Sequence, residues 1–150
     1  MDRTYVTESE EARGRLEGLV ARLADTDMSR PLGPDWTVSS ALMHLAFWDR
    51  QWLLKLEEWE QTGQVHLPPV ADITDGANRG MLPWWRTFTP AKVRQEVLAA
   101  AEAMDRKAAM IPEPLAEVIL ATRPRTLNRS VHRREHSEEI EQVLSELQTH

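Results

Sequence analysis

The stretch TVSSALMHLAFWDRQWLLKLEEWEQTG, residues 37–63, decides the fold. Thr37 can accept the first free amides of a helix through its side-chain oxygen, which makes it a natural N-cap. Gly63 can adopt the left-handed conformation that closes a helix. Between them Val38, Ala41, Leu42, Leu45, Trp52, Leu56 and Trp59 recur at helical spacing and mark a buried side. The segment therefore reads as one long amphipathic helix.

The pattern repeats outward along the chain. Thr7 and Glu10 form a capping-box pair, followed by Ala12, Leu16, Leu19, Val20 and Leu23, so a first helix is predicted over Glu8–Ala24. Residues 26–36, with Pro31, Gly33 and Pro34, read as a loop. Residues 63–89 are broken by Pro68, Pro69, Gly76, Gly80 and Pro83. A loop and then a short helix near Ile73–Arg86, bearing Trp84 and Trp85, are expected there. Thr89-Pro90 is an N-cap and first helical residue, and a third long helix should run to Met110, facing inward through Val93, Val97, Ala100, Ala101, Met104 and Ala108. Pro112 and Pro114 should stop it, ahead of a connection with a helical turn at Leu115–Leu120. A last helix is predicted over Leu127–Leu147. No segment alternates as a strand would. The chain thus reads as a single all-α domain over residues 1–150, an antiparallel four-helix bundle with a short extra helix between the second and third long ones. In an up-down bundle the second and fourth long helices run parallel.

Composition narrows the function. The chain has 150 residues, 41% of them hydrophobic and 28% charged, with a formal net charge of -6. That balance suits a globular protein and argues against general nucleic-acid binding, which runs on positive potential. The opening residues MDRTYVTESEEARG lack a hydrophobic signal core, and no apolar run approaches membrane-spanning length. The expected location is the cytoplasm, with no membrane partner. There is no cysteine, so any metal must be held by His, Asp or Glu.

The chemistry concentrates in Val131-His132-Arg133-Arg134-Glu135-His136. Four residues along a helix turn about 400°, so both imidazoles can reach one ion. Ile140, Val143 and Leu147 continue their stripe, which points the pair into the bundle. Two buried imidazoles need a shared partner, and a zinc or nickel ion satisfies both. His44, between Ala41 and Trp48 on the second helix, is the third candidate ligand. Three histidines without a fourth strong ligand leave a coordination position open, as catalytic metal sites do. Glu135 and Glu139 are candidate partners or bases, with Glu135 expected to face away. His66 and His150 read as solvated.

Trp48 could wall the site, and Gln51 and Lys55 share His44's face, which makes Trp48, Gln51 and Arg129 the candidate substrate-binding residues. Arg123, Arg125, Arg129, Arg133 and Arg134 cluster near the histidines. They read either as a solvated face paired with Glu135 and Glu138, the preferred reading, or as recognition of an anionic group. Arg129, three residues before His132, is the one expected to turn inward.

The run from Gly33-Pro34-Asp35-Trp36-Thr37 to His44-Leu45-Ala46-Phe47-Trp48-Asp49, together with the closing HRREHSEEIEQVL of residues 132–144, resembles the two signatures of the DinB-like superfamily. That group includes YfiT-like metal-dependent hydrolases and the N-terminal domain of mycothiol-dependent maleylpyruvate isomerase. The resemblance implies a four-helix bundle, a divalent metal on His44, His132 and His136, and a homodimer. It implies a metal-activated water or low-molecular-weight thiol acting on a small-molecule substrate, in a hydrolase or thiol transferase. The alternative is a non-catalytic protein that binds or sequesters a small molecule. Pro83 and the Arg-rich approach to the last helix depart from the pattern, and they bear on the substrate pocket.

Overall fold

A computed structural model describes residues 1–67 and 71–148, with the side chains of all of these except 71–73 and 148. Six helices are present: α1 Thr4–Arg22, α2 Val38–Thr62, α3 Ala71–Trp85, α4 Pro90–Met110, α5 Glu113–Thr122 and α6 Ser130–Gln148. The described residues are mostly helical, in the all-α class expected. No helix among them is long and apolar enough to cross a membrane. The expected loop at Pro68 and Pro69, and His150, lie outside the described residues.

The helices form where their ends are chemically defined. Thr37 Oγ1 accepts from Ser40 N (3.2 Å), and Gly63 closes α2 at φ 70°. Thr89 Oγ1 likewise accepts from Lys92 N at the start of α4. Elsewhere the boundaries differ from the reading. α1 begins at Thr4 rather than Glu8, because tertiary bonds hold its first turn. Asp2 accepts from Thr4 N (2.9 Å), Tyr5 donates its hydroxyl to Ala108 O (3.0 Å), and Arg3 bonds Ile111 O (3.0 Å). α5 is a full helix instead of a single turn. Pro114 lies in its first turn, where a missing N–H is not needed, so the proline opens a helix here. Pro83 sits inside α3, two residues from its end.

The loop before α2 carries two short strands, β1 Pro31–Leu32 and β2 Trp36–Thr37, paired antiparallel across a turn with Gly33 at φ 73°. No alternation marks strands this short. The clip seats Trp36 beside α2.

α2 packs most extensively on α4, and α1 on α6, with further packing of α1 on α4 and α2 on α6. Side-chain pairs give the directions. Arg50 pairs with Glu96 (3.2 Å) and Lys107 with Glu60, so α2 and α4 run parallel. α1 opposes α4, through Tyr5 with Ala108 and Arg94 with Asp25 (2.6 Å). His44 meets His132 and His136 while Asp49 meets Arg129 and Arg133, so α6 runs against α2. The parallel course expected for those two helices is corrected, and strict up-down alternation with it. The segment containing α3 carries the chain back along the molecule before α4 begins, so α4 starts beside the start of α2.

The core is split. One cluster gathers Leu16, Leu19, Leu42, Leu45, Val93, Val97 and Ile140; a second gathers Tyr5, Trp52, Leu56, Trp59, Met104, Ile119 and Leu127. Between them lies a polar layer. The inward line of α6 is Ser130, Arg133, Ser137 and Ile140, all fully buried, whereas Leu147 is 46% exposed. The stripe predicted through Val143 and Leu147 is therefore displaced, and His132 and His136 flank the inward line.

Candidate metal centre

His44 is buried on α2, and His132 and His136 are half-buried on α6. Their ring centroids form a near-equilateral triangle with sides of 4.8, 4.9 and 5.0 Å. One nitrogen from each lies within 4.8 Å of the others. Nitrogen ligands of a tetrahedral zinc ion lie about 3.3 Å from one another. The pair His44 Nε2 and His132 Nε2, 2.8 Å apart, and the outer bound of 4.8 Å bracket that spacing, so the residues fit a common ion once the rings reorient.

Neighbouring groups set which nitrogen each ring offers. Asn78 Oδ1 accepts from Trp48 Nε1 (2.7 Å), a donor only, which fixes the amide orientation. His44 Nδ1, 3.1 Å from the same oxygen, must then carry its proton, leaving the Nε2 lone pair free. His136 Nδ1 faces Glu139 Oε2 at 3.3 Å, which likewise leaves Nε2. His132 differs. Its Nδ1 lies 3.1 Å from Arg129 Nη2, a donor only, so it accepts, and its Nε2 proton points at His44 Nε2, 2.8 Å away. Arg129, His132, His44 and Asn78 form one hydrogen-bonded chain.

Electrostatics keeps His44 and His132 neutral. Burial, then the charge of His136, pushes His44 down to about 3. Burial and the adjacent Arg129 hold His132 far below the ordinary histidine range. Neutral imidazole is the form that ligates metals.

Trp36 on β2 meets the His44 ring edge-on at 5.1 Å, and Trp85 approaches it at 5.9 Å. On the other side the triad opens into a cleft of about 570 Å³ lined by Trp48, Trp52, Asn78, Arg123, Arg125, Arg129 and Glu135. Of the candidate substrate-binding residues, Trp48 and Arg129 are there. Gln51 is not: it is exposed and lines a separate apolar cleft with Phe47, Trp84 and Phe88. Its placement is a correction, since in α2 the cleft wall continues from Trp48 to Trp52 instead. Glu135, expected to face away, borders the cleft and pairs with Arg125 (2.9 Å).

The arginine cluster divides. Arg129 is 4% exposed and binds Asp49 Oδ1 through Nε (2.8 Å). Arg133, preferred above as solvated, is fully buried and bridges Asp49 (3.1 Å) and Asp105 (2.8 Å), with further bonds to Ser9 O and Ala101 O. These contacts join α1, α2, α4 and α6 in the polar layer. Asp105 and Asn78 escaped the sequence reading. Asp105 was detectable as a charge within the apolar stripe of α4. Asn78 carries no signal beyond its own polarity.

Residues 9–139, which include all three histidines, match the model of a family described as the mycothiol maleylpyruvate isomerase N-terminal domain. No curated protein and no solved structure matches the chain.

Proposed function

We propose, from the premise that this chain belongs to the mycothiol maleylpyruvate isomerase N-terminal domain family, a DinB- and YfiT-like group, that it is a metal-dependent enzyme acting on a small molecule. The observation that carries the reading is the convergence of three imidazoles at the base of one cleft. His44, His132 and His136 would hold a divalent ion, zinc or nickel. When bound, it supplies Lewis acidity at an open position, to water or to a low-molecular-weight thiol. The chain has no cysteine, so a thiol must come from solution.

The chain's own residues prepare the site. Asn78 and Trp48 orient His44. To ligate through Nε2 as a neutral imidazole, His132 would carry its proton on Nδ1, and Arg129, a donor only, would turn from that atom. Trp48 and Trp52 exclude water from one wall of the cleft. Glu135 is the carboxylate positioned to take a proton there. The family resemblance supports a homodimer.

One observation favours the second reading, a protein that sequesters a small molecule. Glu135 is the only carboxylate among the described residues lining the cleft, and Arg125 already engages it. Turnover separates the two. Purified protein should contain about one divalent ion per chain. It should consume an electrophile beyond one equivalent, with or without added mycothiol or bacillithiol. His136→Ala should abolish both properties with an unchanged circular dichroism spectrum. Consumption that stops at one equivalent would favour sequestration, and metal-free protein with full activity would overturn the reading.

A further inference from the structure

The cleft beside the histidines carries an unbalanced charge. Arg125 is matched by Glu135, and Arg129 by Asp49. Arg123 has no hydrogen bond or ion pair from its side chain among the described residues. Its guanidinium lies 4.6 Å from the centre of the Trp52 ring. That π-face attracts a cation but gives it no counter-charge. The backbone is fixed: Arg123 N bonds Ile119 O at 2.7 Å to end α5, and Pro124 follows directly. Burial and the nearby Arg129 disfavour the charge of Arg123, although a guanidinium stays protonated. A positioned, half-buried cation without an acidic partner, on the wall that also presents the metal ligands, is arranged to receive an anion.

We propose that Arg123 is the specificity-determining residue of this cleft, pairing with an anionic group on the substrate while the reacting end lies at the histidines. A single planar fork matches one carboxylate in two parallel hydrogen bonds, and one unmatched cation balances a single negative charge, so a carboxylate rather than a doubly charged phosphate is the group assigned. The term substrate rests on the enzymatic reading above; the anion site itself does not need the metal.

The test has two arms. In the first, chelator-treated protein at low ionic strength is titrated with succinate and with its neutral diamide, by calorimetry. Succinate should bind at least about tenfold tighter. The ratio should fall to about one in Arg123→Gln and be partly retained in Arg123→Lys, with thermal midpoints unchanged. A purely structural role for Arg123 would lower the midpoint and leave the ratio alone. Equal binding of acid and amide by the unmodified protein, or a ratio unaffected by Arg123→Gln, overturns the proposal. In the second arm, zinc-loaded protein is titrated with 3-mercaptopropionate and 3-mercaptopropanamide. Both should bind tighter than to the metal-free protein, the acid most of all. If succinate discriminates in the first arm but neither thiol gains from zinc, the metal reading fails and the anion site stands.

Discussion

At the scale of single residues, the metal ligation proposed for His44 depends on Asn78. One amide oxygen accepts hydrogen bonds from both His44 and Trp48, so it orients the His44 ring and ties it to the cleft wall. Partners of this kind typically tune metal affinity by about 10- to 100-fold. Asn78→Ala should weaken zinc binding by about that factor in a chelator competition, while the helical spectrum is unchanged. An unchanged affinity would mean that the amide is incidental. The depressed basicity of the rings also has a sign. In the metal-free protein a histidine of the unfolded chain takes up a proton near pH 6.5, whereas His44 resists until about 3. The unfolded state therefore binds more protons across that window, and stability falls as pH drops, by up to about 1.4 kcal/mol per pH unit for each such ring. The urea midpoint of chelator-treated protein should fall more steeply from pH 6.5 to 4.5 than that of a His44→Leu, His132→Leu variant. Parallel profiles would mean that the rings are not buried neutral.

At the scale of elements, sequence was informative wherever local chemistry alone fixes an end. Thr37, Gly63 and Thr89-Pro90 bracket α2 and open α4 as read, since caps act within one turn. It was uninformative where distant partners decide. The first turn of α1 exists because Arg3 and Tyr5 bond carbonyls at the far end of α4. Two glycines test the local logic. Gly63 has φ 70°, and no atom would meet an added Cβ within 4 Å, so Gly63→Ala carries only the backbone penalty, about 1 kcal/mol destabilising. Gly18, inside α1, is equally uncrowded but helical, and Gly18→Ala should stabilise by up to about 1 kcal/mol. Denaturant midpoints that move in the same direction for both would contradict this assignment.

At the scale of the molecule, the polar layer is the feature that periodicity could not resolve. Arg133 lies on the buried line of α6, but its residue type says surface, and only its two carboxylate partners from α2 and α4 reverse that. The three histidines were legible because two share one face of a helix a turn apart and the third lies between Ala41 and Trp48 on the inward face of α2. The ion pairs were not, because each joins helices far apart in sequence. Removing one partner from a buried network leaves charge uncompensated, typically by about 3–5 kcal/mol. Arg133→Met should cost about that much in unfolding free energy, and Arg133→Met with Asp105→Leu should recover part of it. Arg133 Nε and Asp105 Oδ1 have no partner among the described residues, so an apolar pair would also relieve two unsatisfied groups. A loss below about 1 kcal/mol in the single variant would show the layer to be dispensable.

The small clip before α2 has an optical consequence. By seating the Trp36 indole against His44, with Trp85 close behind, it builds two fluorophores into the wall of the coordination sphere. A paramagnetic cation such as nickel or cobalt arriving at the imidazoles would sit within quenching range of both. The protein's own ultraviolet emission therefore reports occupancy directly, with no dye and no known substrate.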